Sequence, residues 1–325
     1  MRIKRIWILA VLCSLLAVFS TDEVSAQDPQ FTQFYANPLY LNPAFAGTVK
    51  CPRFAMNYRN QWPQLSGNFV TYSASYDQHV PVLSGGVGLL VTQDVAGKGT
   101  LKTTSATGVY SYQRPINRYF SIKIGLAAAY VQKTLDWGRL TFGDQIDTRR
   151  GFIFKTNEIA RGGTKSFVDF SGGILGFSDK FYFGAAAHHI NQPNESLVLG
   201  TSRLPIRFTG HAGMVLPLAA KGRGTKESSI SPNVLYQVQD DLTQINIGVY
   251  IQKGPLVFGA WHRVNDSFIG LLGIHAGNMK IGYSYDLTTS KLTPTTGGAH
   301  EVSVSTTLKC KKRKVTMRAI NCPSF

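Results

Sequence analysis

The sequence predicts an all-β fold: a single outer-membrane β-barrel of about 14 antiparallel strands, led by an aromatic N-terminal segment. Three observations carry that expectation. The chain begins with an export leader. Charged residues make up only 16% of it, against roughly 25% in a soluble domain, while it holds 32 Gly, 14 Tyr and 19 Phe. Beyond the leader, segments of about ten residues alternate apolar with polar or small residues, the pattern of a tilted membrane strand.

The leader comes first. Arg2, Lys4 and Arg5 precede an apolar run from Ile6 to Phe19, and Val24-Ser25-Ala26 supplies small residues for cleavage. Residues 1–26 therefore read as a signal peptide. The apolar run is short of the roughly 20 residues a membrane helix needs. Lipoprotein processing at Cys13 fits less well, because bulky Leu12 stands where a small residue is expected.

Residues 27–50 open with "QDPQFTQFYANPLYLNPAFAG". Asn37-Pro38 and Asn42-Pro43 sit among Phe31, Phe34, Tyr35, Tyr40 and Phe45. Each proline removes a backbone donor and bars its preceding Asn from the helical region. The expectation is an extended, bent ribbon whose rings plug the lumen or line its periplasmic mouth. So many rings would be unusual in a solvated linker.

The strands span 51–308. In "NFVTYSASYD", Val70, Tyr72, Ala74 and Tyr76 share one face. In "TSATGVYSYQ", Ala106, Gly108, Tyr110 and Tyr112 oppose Ser105, Thr107, Val109 and Ser111. Ile122, Ile124, Leu126, Ala128 and Tyr130 line up next, then Ile245, Ile247, Val249 and Ile251, then Val302, Val304 and Leu308. A secreted β-sandwich would alternate too. Here the opposite faces carry mostly Ser, Thr, Gly, Gln and Asn, and tyrosines recur near strand ends, which favours lipid. Residues 134–165 break the alternation and read as an extracellular loop insertion.

The tail, 309–325, is basic and periplasmic in this reading: Lys311, Lys312, Arg313 and Lys314 meet no acid and add to a net charge of +16. It is a solvated end, or a contact for anionic head groups or an acidic partner. Export excludes nucleic acid. Of the three cysteines past the leader, Cys310 with Cys322 is the preferred pair.

Candidate chemistry is sparse. His188 and His189 point to opposite faces if they lie on a strand, so a turn-anchoring role outweighs a shared metal. His211 and His275 read as lumen-facing hydrogen bonders. Asp144 and Asp147 lack the ordered donor spacing of a calcium loop. "SGGVGLL" is followed by no helix, so it is not a phosphate loop. No Gly-x-Ser-x-Gly elbow occurs. The reading assigns no catalytic, cofactor or metal residue: the chain is not an enzyme and needs no cofactor.

The opening stretch resembles the mature start of the PorP/SprF family, outer-membrane proteins tied to the type IX secretion system and gliding motility of Bacteroidetes. The resemblance continues in order through "YRNQWP", "QDVAGKGT", "YSYQRP", "AAAHHINQPNES", "HAGMVLPL", "SPNVLYQVQ", "GYSYDLTTSKL", "GGAHEVSVS" and the closing "NCPSF". The insertion at 134–165 and the lysine run at 311–314 sit where members vary. The resemblance implies a barrel with no catalytic residues to carry over. Its partners would be outer-membrane lipid and a secreted or surface-anchored, adhesin-like substrate bearing a type B C-terminal domain. For a core-system member, the partner would instead be a periplasmic peptidoglycan-binding lipoprotein. The alternatives are a diffusion channel or small-solute transporter on the same fold, and a secreted soluble protein.

Overall fold

A computed structural model describes residues 28–49, 51–147, 149–157, 163–197, 200–218, 228–289 and 297–310. The expected leader, the Lys311–Lys314 run and Cys322 lie outside these residues. The strands are β1 (Arg53–Gln61), β2 (Phe69–Val80), β3 (Gly85–Ala96), β4 (Leu101–Pro115), β5 (Ser121–Leu135), β6 (Ile146–Asp147) and β7 (Gly151–Phe152). They continue as β8 (Thr164–Phe177), β9 (Phe181–His188), β10 (Arg207–Met214), β11 (Leu216–Pro217), β12 (Ser228–Gln239) and β13 (Leu242–Lys253). The last are β14 (Leu256–Arg263), β15 (Ser267–Ala276), β16 (Met279–Thr288) and β17 (Ala299–Thr307).

Neighbours in the chain pair antiparallel, β5 pairs with β8, and β10 and β11 both pair with β12 as two parts of one wall strand. β1 pairs with β17, Arg53 opposite Thr307, and closes the ring. The wall is thus a closed antiparallel barrel of 14 strands. β6 and β7 form a separate hairpin inside the expected insertion, which occupies the connection from β5 to β8.

Side-chain placement follows the alternation. On β1, Phe54, Met56 and Tyr58 are exposed while Ala55, Asn57 and Arg59 are buried. On β13, Ile245, Ile247 and Ile251 face out, and Gln244, Asn246 and Tyr250 face in. Apolar side chains cover the outside and polar or charged ones line the inside, which is the inverse of a soluble protein. Such a wall is stable where acyl chains replace water. Among the described residues no helix is long and apolar enough to cross a membrane; the strands do so.

The two longest connections, β5 to β8 and β9 to β10, lie at the same mouth. One mouth, here the upper, carries the connections at 62–68, 97–100, 136–163, 189–206, 240–241, 264–266 and 289–298. The lower carries 81–84, 116–120, 178–180, 254–255 and 277–278, the connection from β11 to β12, and the start of β1 and end of β17.

The disulfide differs from expectation. Cys310 bonds Cys51, not Cys322, with the Cα atoms 5.5 Å apart. Pairing of β1 with β17 brings the two cysteines together: Leu308 N donates to the Pro52 carbonyl just inside them. Barrel closure joins residues 259 apart.

Candidate functional site: the lumen and the segment that fills it

About eight strands make an interior that wall side chains alone can fill, and a wider ring leaves space. Here residues 28–48 occupy it. Phe31, Phe34, Tyr35, Leu39, Leu41 and Phe45 are all buried. The segment is not the extended ribbon the prolines suggested. It forms three single turns: 3-10 at Phe34–Ala36, α at Pro38–Leu41 and 3-10 at Pro43–Phe45. Pro38 and Pro43 each stand first in a turn, where a missing N–H costs nothing. Asn37 (φ −119°) and Asn42 (φ −159°) stay non-helical, as residues before proline must. Asn42 also caps the last turn, accepting from Ala44 N at 2.9 Å.

The contacts descend the lumen in chain order. At the upper mouth the Asp28 carboxylate lies 3.0 Å from Arg207 Nη1 and 2.7 Å from His189 Nε2. His189, in the left-handed region (φ 59°) just past β9, donates its other nitrogen to Asp169 at 2.9 Å. Burial works to lower the His189 pKa, but bonds to Asp169 and Asp28 outweigh it and raise it to about 9. Burial likewise works to raise the Asp28 pKa, yet Arg207 and His189 hold it well below the usual carboxylate range.

Next comes a network of fully enclosed charges. Thr32 N and Gln33 N donate to the Glu301 carboxylate at 2.6 and 3.1 Å, and Thr32 Oγ1 donates to Asp286 at 2.8 Å. Arg59 joins Asp286 at 2.9 Å and Glu301 at 3.4 Å, with Arg59 3% and Glu301 0% exposed. Two backbone donors and a guanidinium thus satisfy a carboxylate that would be costly to bury alone.

Mid-lumen contacts are aromatic. Phe34 meets Trp261 edge-on at 5.2 Å, Tyr35 meets Tyr182 at 5.6 Å, and Phe45 stacks on His211 at 5.3 Å. Asn42 Nδ2 donates to the Ile174 and Ala185 carbonyls at 3.1 and 3.2 Å. Two glycines permit this approach: a Cβ on Gly125 would lie 2.3 Å from Ala44 N, and one on Gly173 would lie 2.1 Å from Asn42 Oδ1. At the lower mouth the Ala46 carbonyl accepts from Ser111 Oγ and Lys123 Nζ. Gly47 N donates to Asp77 at 2.8 Å, and Asp77 pairs with Arg53.

All nine residues singled out in the segment—Phe31, Phe34, Tyr35, Asn37, Pro38, Tyr40, Asn42, Pro43 and Phe45—lie in the lumen, Tyr40 beneath the Arg207 guanidinium at 4.9 Å. His189 anchors a turn, and His211 faces the lumen. Asp144 and Asp147 accept backbone N–H groups within their own loop. The wall charges that receive the segment, Arg59, Lys123, Arg207, Asp286 and Glu301, escaped sequence reasoning. Their signal was a lone charge on the small, polar face of an alternating strand, as in "IKIGLAAAYV" and "HEVSVS".

Chemically, this arrangement holds a peptide segment through ion pairs, hydrogen bonds and ring contacts. Solved structures with related shapes include the Ralstonia pickettii toluene transporter TbuX (TM-score 0.44, 10% identity, covering 82% of this chain and 90% of that one). Another is the Acinetobacter baumannii outer membrane protein Omp33 (TM-score 0.43, 8% identity, covering 81% and 100%). No curated protein sequence matches this chain. The family described as type IX secretion system membrane protein PorP/SprF matches residues 23–306. With a match over residues 23–306 and a closed, alternating wall, this outer-membrane barrel belongs to the PorP/SprF family of type IX secretion system membrane proteins.

Proposed function

We propose that the chain is a non-enzymatic, self-plugged barrel that serves type IX secretion by holding a partner. The partner is an adhesin-like substrate with a type B C-terminal domain, whose export or surface attachment the barrel assists. For a core-system member it is a periplasmic peptidoglycan-binding lipoprotein. The observation that carries this reading is the filled lumen. Segment 28–48 meets the wall on opposite sides of the ring, at Glu301, Ser73, Ile174 and Lys123. A conduit for solutes needs an open, hydrated path, whereas a docking platform needs a rigid wall.

Affinity isolation of the tagged barrel from its native host tests the reading. It should bring down an adhesin-sized or peptidoglycan-binding companion. In planar bilayers the intact protein should be nearly silent, and deletion of residues 28–48 should open a steady conductance. A partner-free barrel that conducts strongly while intact would support the diffusion-channel alternative instead.

A further inference from the structure

The direction in which the segment runs through the barrel fixes where each end emerges. β1 begins at the lower mouth, so strands with odd positions around the wall rise and the others descend. Asp28 meets Arg207, the first residue of descending β10, and His189, just past the top of rising β9. Thr32 meets Glu301, near the top of descending β17. Asn37 bonds Ser73, upper-middle on β2. Asn42 bonds Ile174, low on descending β8, and Ala46 bonds Lys123, at the foot of rising β5. Gly47 ends on Asp77, near the foot of β2. Contacts from six segment residues give one order. The segment enters at the upper mouth, traverses the whole lumen and leaves at the lower mouth to begin β1.

In outer-membrane barrels long connections lie outside the cell, while short turns and both strand ends lie in the periplasm. We infer that the N-terminal segment crosses the outer membrane inside its own barrel, presenting Asp28, Pro29 and Gln30 to the cell exterior. The barrel strands begin and end in the periplasm, yet the residues preceding them surface outside. Nothing in the leader or the alternation implies this. An exported N-terminus that fed β1 directly would remain periplasmic. The inference rests on the outer-membrane setting and is independent of which partner docks.

The upper end, half-buried from Asp28 to Gln30, is built rather than frayed. Asp28 is held by Arg207 and His189, and Gln30 lines a crevice with Gln237, Gln239 and Gln244 at the tops of β12 and β13.

Cysteine labelling on intact cells tests the inference, in a Cys322→Ser background, with a membrane-impermeant maleimide. Gln30→Cys should react before permeabilisation, as should Asp241→Cys in the turn from β12 to β13. Asn278→Cys, in the turn from β15 to β16, should react only after permeabilisation. An epitope placed directly before Asp28 should be read by antibody on intact cells. If Asp241→Cys reacts while both the Gln30 thiol and the epitope stay protected, threading is overturned. If Asn278→Cys reacts and Asp241→Cys does not, the barrel is inverted and the exterior assignment fails. Neither failure bears on partner recovery, so the docking proposal is judged separately.

Discussion

At the residue scale, the clamp at the upper mouth has a pH window set by two shifts of opposite sign. His189 is raised from 6.5 to about 9, so its contribution is complete below 6.5 and vanishes as pH rises through about 9. Asp28 is depressed from 3.8, so its contribution is present above 3.8 and is lost as pH falls below that value. The charged or titratable groups around them include Arg207, Asp169, His188, Tyr40 and Asp94. The clamp is at full strength between about pH 4 and 6.5 and weakens from there up to about pH 9. Intact barrels in planar bilayers should therefore show brief openings above pH 9 that are absent at pH 7. His189→Gln should flatten that alkaline response. Identical traces at pH 7 and 10 would show that the clamp does not restrain the segment. Sequence reading assigned His189 to a turn, but not this role. Asp28, Asp169 and Arg207 are far apart in the chain, and only barrel closure and threading bring them together.

At the element scale, the lumenal segment was legible as special but not in its shape. Aromatic content and the Asn-Pro pairs marked it as neither an ordinary strand nor a linker. The restriction on residues before proline held at Asn37 and Asn42. The error lay in extending that restriction to the prolines themselves, which begin turns readily. The disulfide was misread for a related reason. The pairing of β1 with β17 is the longest-range contact in the wall and leaves no mark in any one segment. Cys51–Cys310 ties the two ends of that seam at the lower mouth. A disulfide closing so long a loop typically contributes about 2–4 kcal/mol by restricting the unfolded chain. Reduction, or Cys51→Ser, should lower the temperature at which the folded band converts to the unfolded one on semi-native gels. Cys322→Ser should leave that temperature unchanged. The reverse pattern would restore the Cys310–Cys322 pairing.

At the scale of the whole molecule, the strand number and the inside–outside sense were legible because period-2 alternation is local and repeats in every segment. Lumen charges were not, since each is a single residue whose partner lies across the ring. The competing soluble fold makes the opposite claim about the apolar faces, and one substitution series separates the two. Ile247 is in the middle of β13 with 55% of its surface exposed, and Thr243 faces the same side near the top of that strand. If acyl chains surround the wall, Ile247→Arg should cost about 2–4 kcal/mol and Thr243→Arg only about 0–1 kcal/mol, because the penalty depends on depth. Denaturant unfolding in lipid vesicles reads the difference directly. In a soluble sandwich this face would pack into the core, so arginine would be costly at both positions and the dependence on depth would vanish. A graded penalty along outward positions of β13, with Asn246 between them still bonded to Arg263 inside, follows from a lipid-facing wall around a polar lumen.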